Sequence, residues 1–178
     1  EDTARFCDVL AQTSRTANTN VGKMGESLKY VSSTAGALNY SIEDVATAMA
    51  DLANSGIKSG MAGTSLRNIL SSLADPSEEA ADALDALGIS LADSEGDAYG
   101  LNDVITQMRT SFSGLTQEEK VHYASMIAGK RGMAGVLALV NTTQQAYDEL
   151  SATISDCDGA AKEMKSESGL RKTNLECN

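Results

Sequence analysis

The chain is expected to be all-α, a multi-helix bundle of short helices, and three observations say so. Its apolar residues recur at three- and four-residue spacing in segment after segment, and cap and stop signals bound those segments. Only 4% of residues are aromatic and there is a single proline. A core must then come from Ala, Leu, Ile, Val and Met, which suits close helix packing better than a sheet. With 178 residues, 42% hydrophobic and 22% charged, the chain is long enough for one domain with a substantial core. That domain is placed at residues 1–165, with 166–178 set apart as a tail.

Taken in order, residues Thr3–Thr16 carry Phe6, Val9 and Leu10 on one face, and Asn18-Thr19-Asn20 is a polar break able to cap the next run. That run, Val21–Leu38, aligns Met24, Leu28, Val31, Ala35 and Leu38. The following helix, about Ile42–Ser55, has both ends written out. Ser41 stands three residues before Asp44, the spacing at which a hydroxyl takes a free N–H of the first turn while an acid reaches back. Tyr40 and Val45 are placed as a hydrophobic staple. Gly56 can turn left-handed to close the helix, with Ile57 folding back on its last turn. After a turn at Lys58–Gly63, Leu66, Ile69, Leu70 and Leu73 continue at helical spacing. The two helices read as a hairpin with an Ala/Gly-rich seam, in which a side chain at Gly63 would push them apart.

Asp75-Pro76-Ser77-Glu78 reads as a helix start: Asp75 caps, Pro76 lacks an N–H that would be free anyway, and the acid suits the positive end of the dipole. That helix should end at Gly88. Residues 89–101 alternate Ile89 and Leu91 with polar residues around the turn Asp93–Asp97, so a small β-hairpin is expected there. Helix resumes at Asn102 with Val104, Ile105, Met108 and Phe112 and stops at Gly114. Thr116 with Glu119 forms a capping box for a helix to about Ala128. Beyond the glycines at 129, 132 and 135, one long helix is expected from about Met133 to Asp156, then Gly159 and a final helix.

The run Tyr40-Ser41-Ile42-Glu43-Asp44 at a helix start, Ala53-Asn54-Ser55-Gly56-Ile57-Lys58 at its end, and Ala62-Gly63-Thr64-Ser65-Leu66-Arg67 after it also closely resembles the core region shared by tail tape measure proteins of long-tailed bacteriophages. The resemblance extends through Val9–Gln12, Gly25–Val31, Ala86–Ile89, Met126–Gly132 and Gly159–Met164, about residues 4–164 in all. It implies a structural protein lying in the tail tube, synthesised in a bacterial cytoplasm, that sets tail length during assembly and is released ahead of DNA at infection. The implied partners are copies of itself, tube subunits, tail-assembly chaperones and tip proteins. No cofactor, metal or catalytic residue is implied.

A net charge of −11, with 14 basic residues against 25 acids, argues against direct nucleic-acid binding. No base occurs between Arg67 and Arg109. The plain reading is a solvated acidic surface; inside a tube that must pass DNA, such a surface would also keep the genome from sticking. Cys7, Cys157 and Cys177 fit neither a zinc pattern nor a disulfide framework, so reduced thiols are expected. The longest apolar run, Met133 to Val140, is too short to cross a bilayer, and no signal peptide is recognisable. The start at Glu1 without Met suggests a segment of a longer protein.

Four features could pass for chemistry. Glu26-Ser27 followed by Ala35-Gly36-Ala37-Leu38-Asn39-Tyr40 faintly resembles the lytic transglycosylase pattern, giving an alternative function as a peptidoglycan-cleaving module. That chemistry needs a buried Glu26 acting as general acid and an aromatic-lined sugar cleft, yet the chain has no Trp. Gly129-Lys130-Arg131-Gly132 lacks the preceding strand and following Ser or Thr of a phosphate loop; a helix break and close helix approach suit it better. The turn Asp93–Asp97 lacks calcium-loop spacing, and His122 has no Cys or Ser partner at a recognisable distance in sequence. No cofactor or metal site is expected.

Overall fold

The computed structural model describes residues 2–167. These form α1 (Asp2–Thr16), α2 (Val21–Ala37), α3 (Ile42–Asn54), α4 (Gly60–Ala74), α5 (Glu78–Leu87), α6 (Leu101–Ser113), α7 (Gln117–Asn141) and α8 (Gln144–Ser155), followed by a helical stretch over 160–167. Of the tail at 166–178, residues 168–178 and hence Cys177 lie outside the described residues. Among the described residues there is no strand.

The bundle is built around α3, in which every residue from Val45 to Ala53 is buried. A helix that is apolar on all sides must be enclosed, and α3 is in contact with α1, α2, α4, α6, α7 and α8. Around it, α4 packs on α2 and on α7, while α5 and α6 lie against α7.

Local chemistry fixes the helix ends. Asn20, Ser41, Ser77 and Thr143 each accept an N–H from the first turn of the helix they precede, at 2.9, 3.0, 3.2 and 3.3 Å. Thr116 and Glu119 exchange both bonds of a capping box. Three helices close through a left-handed residue and a bond spanning the last turn. These are Asn39 with Tyr40 N–H to Ala35 O (3.0 Å), Gly56 with Ile57 N–H to Leu52 O (2.8 Å), and Gly88 with Ile89 N–H to Leu84 O (2.9 Å).

The structure revises five readings of the sequence. Asp75 closes α4 instead of opening the next helix, its N–H bonding to Ser71 O; Ser77 is the cap, and Pro76 lies between the two helices. A side-chain hydroxyl one residue before Glu78 decides that start. The turn after α3 is shorter than Lys58–Gly63, because α4 begins at Gly60 and Gly63 is inside it. The close seam is not between α3 and α4: Gly63 faces α2, where an added Cβ would stand 2.1 Å from the Ser27 carbonyl oxygen. The hairpin over 89–101 is reduced to one antiparallel bridge, Ala92 to Ala98, with the Asp93 carboxylate accepting N–H bonds from Glu95 and Asp97. Finally, the long helix from Met133 to Asp156 is broken at Thr142-Thr143, where Thr142 is extended and Thr143 caps α8.

Gly129 interrupts α7 with φ 63° and ψ 177°, a conformation that glycine adopts far more readily than residues bearing a Cβ. Beyond this kink the helix turns Gly135 onto α4, where a Cβ would meet Ser65 Oγ at 2.2 Å. The glycines at 129 and 135 thus serve a helix break and a close helix crossing.

Candidate functional site

Both buried charges among the described residues lie in one network at the junction of α3, α6, α7 and α8. Asp51 and Arg109 are the buried charged pair: Arg109 is 5% exposed and its Nη2 donates to Asp51 Oδ2 at 3.2 Å. Arg109 Nε donates to the Leu139 carbonyl at 2.8 Å, and Thr142 Oγ1 donates to Asp51 Oδ1 at 2.6 Å. Thr142 is extended where the helix breaks, so the interruption between α7 and α8 supplies a donor to the central helix.

The guanidinium also lies over the Tyr147 ring, 3.6 Å from its centre, a close cation–π contact in a desolvated setting. The Tyr147 hydroxyl donates to Asn102 Oδ1 at 2.7 Å, and Asn102 Nδ2 donates to Asp44 Oδ1 at 2.7 Å. Asp44 therefore spends its carboxylate on Asn102 of α6, while its own N–H bonds to the Ser41 hydroxyl. Burial is the first cause of every shift here. It raises the carboxyls of Asp51 and Asp44 and the Tyr147 phenol, and lowers the Arg109 guanidinium, with the ion pair and the hydrogen bonds opposing it in part.

This arrangement orients helices and exposes no reactive group. A charged pair enclosed by core is weak evidence for stability but leaves few alternative packings that satisfy it. Sequence reasoning missed it because its two charges lie 58 positions apart. One signal was present: Asp51 is the only charge in Val45–Ala53, an otherwise uncharged run, and a charge so placed needs a partner.

The sequence candidates for chemistry are not brought together. Glu26 is exposed on α2, whereas Ser27 is buried with its hydroxyl directed to the Lys23 and Ser59 carbonyls. A general acid needs the reverse, a desolvated carboxyl in a cleft. His122 is exposed and pairs edge-on-tilted with the neighbouring Tyr123 ring, 5.7 Å between centres. Cys7 is exposed and Cys157 buried, both as free thiols. Among the described residues no three His, Cys, Asp or Glu side chains are grouped to hold a metal, and no helix is long and apolar enough to cross a membrane.

Of the sequence-derived structural positions, Tyr40, Ser41 and Asp44 open α3, Gly56 closes it, Gly63 meets α2, Asp75 and Pro76 separate α4 from α5, and Gly88 ends α5. Fold and site together define a class, a helical structural module whose buried polar groups serve packing. The sequence profile of the phage-related minor tail protein family matches residues 1–129, and the chain belongs to that family. It is 34% identical over 157 residues to the tape measure protein of Pneumococcus phage Dp-1, covering 88% of this chain and 14% of that protein. It is 29% identical over 164 residues to a probable tape measure protein of Escherichia phage P2, covering 90% of this chain and 20% of that one. The chain thus spans a fifth or less of the relatives it matches. No solved structure matches it.

Proposed function

We propose that this segment is a folded structural block of a phage or prophage tape measure protein, housed in the tail tube, contributing to tail assembly, length determination and genome delivery, and without enzymatic activity. The proposed partners are copies of itself, tube and tip proteins and tail-assembly chaperones, and the body is taken as residues 1–165. Family membership and the two tape measure relatives support the tail role.

One observation says how such a block would act on length. The helical stretch at 160–167 runs alongside α1 in the same direction: Arg5 bonds to Asp158 and to Ser155 O, Asp8 accepts from the N–H groups of Gly159 and Ala161, and Arg15 pairs with Glu163 and Glu167. The chain enters and leaves the block separated by little more than α1, whose 15 residues rise about 22 Å. A continuous helix of 178 residues would span about 270 Å. The block is therefore a poor ruler, and its contribution is to position or anchor.

An in-frame deletion in a phage that carries the segment tests this. We expect tails shortened by at most a few tens of ångströms, roughly the rise of α1, with assembly or infection blocked. Viable phage whose tails shorten in proportion to the full helical length would overturn it.

A further inference from the structure

The charges of this acidic chain are segregated. Lys23 and Lys29 on α2, Lys58 before α4, Arg67 on α4, and Lys130 and Arg131 on α7 belong to packed neighbours, and none forms an ion pair with a described residue. Residues 55–74 and 129–147 contain no acid, and α2 has only Glu26. Beside Arg131 on this face is a cleft of about 350 Å³, lined also by Tyr30, Gly60, Met61, Thr64 and Ser65. Tyr30 is 42% and Met61 72% exposed. An apolar centre set in a surface where bases outnumber acids, with Glu26 the acid beside Gly60, is the anatomy of a protein-binding surface.

A complementary surface lies on the same molecule. Between Arg67 and Arg109 there is no base, and Asp82, Asp85, Asp93, Glu95 and Asp97 on α5 and the following loop are all exposed. None of these acids is in an ion pair with a described residue. We infer that the α2–α4–α7 face docks the acidic α5-to-α6 surface of a second copy of this chain. The two surfaces differ, so the contact is head-to-tail and builds rings or open stacks, not a closed two-fold dimer. This deepens the tail reading by assigning the self-contact, and it is tested on the chain alone, so its failure leaves the tail reading standing.

The test is sedimentation velocity of the 178-residue chain and two charge-neutralising variants, K29Q/R131Q on the basic face and E95Q/D97N on the acidic loop. All four positions are exposed, and circular dichroism melts would confirm native folding. At about 50 mM salt the wild type should grow in mass with concentration from 18.6 kDa, and return to monomer near 1 M salt, where screening acts over about 3 Å. Each variant alone should stay monomeric, since it has lost one of the two surfaces. Mixed in equal amounts they should form a 1:1 dimer and stop there, because one intact surface of each kind remains. A wild type that is monomeric at low salt, a variant that associates like the wild type, or a mixture with no dimer overturns the inference. So does wild-type binding to anionic vesicles or duplex DNA without self-association.

Discussion

Replacing Gly63 by alanine would put a methyl group where α2 already stands. The added Cβ would lie 2.1 Å from the Ser27 carbonyl oxygen and 2.8 Å from its C and Cα, against an ordinary contact of at least 3.4 Å. Relief requires α2 and α4 to part by about 3.4 − 2.1 = 1.3 Å, and the obstacle is backbone, which cannot rotate away. Overpacking of this kind costs typically 1–3 kcal/mol. Parting the helices also stretches the 2.6 Å bond from Ser27 Oγ to Ser59 O, worth about 1 kcal/mol. We expect a loss of about 3 kcal/mol, read by urea denaturation, and a melting temperature lower by roughly 6–12 °C for a chain of this size. Gly25→Ala is the internal control: it lies on α2, the helix that Gly63 of α4 abuts, with nothing within 4 Å of an added Cβ, so it should gain about 0.5–1 kcal/mol from helix propensity. A Gly63→Ala variant as stable as the wild type would falsify the crossing.

Three further outcomes follow from the same structure. Asp51→Ala should cost about 3–5 kcal/mol by stranding Arg109, whereas the double replacement Asp51→Leu/Arg109→Met should cost far less than the sum of the single changes; additive losses in a denaturation cycle would show the pair to be uncoupled. Glu119 is held below the usual carboxylate range, first by the Thr116 N–H and then by the Thr116 hydroxyl. Its depressed folded value means that its contribution is present at neutral pH and lost as pH falls through that value, so the stability gap between wild type and Glu119→Gln should close in acid; a gap that widens there would contradict the capping box. Purified chain should leave cell-wall suspensions turbid, with Glu26→Gln indistinguishable from wild type, and clearing that disappears in the variant would restore the peptidoglycan reading.

Cap chemistry was legible in the sequence because it is settled within four or five residues. Ser41, Gly56, Gly88 and the Thr116–Glu119 pair declare their helices without reference to the rest of the fold. What could not be read was which helix meets which. The small residues of α4 suited a seam with α3 equally well in sequence, yet Gly63 faces α2 and Ser65 faces Gly135. The break at Thr142-Thr143 was hidden for a related reason. Apolar spacing runs on through Val140, Tyr147 and Leu150, and the Thr142 bond that fixes the break is made to Asp51, 91 positions away. Asp75 misled because two acceptor side chains compete at that start, and Ser77 sits nearer the first free N–H groups.

The all-round burial of α3 has a consequence during synthesis. Ala53 leaves the ribosome well before Ser155, the last residue of α8, and 155 − 53 = 102 residues separate them. At about 5–20 residues per second, that interval is roughly 5–20 s. At its start the most apolar of the eight helices has only α1 and α2 to lie against; α4, α6 and α7 arrive in turn, and α8 comes last. The nascent chain must therefore carry a sticky helix for seconds before its last wall exists, and any truncation that keeps α3 but stops short of α8 leaves that helix partly uncovered and prone to aggregate.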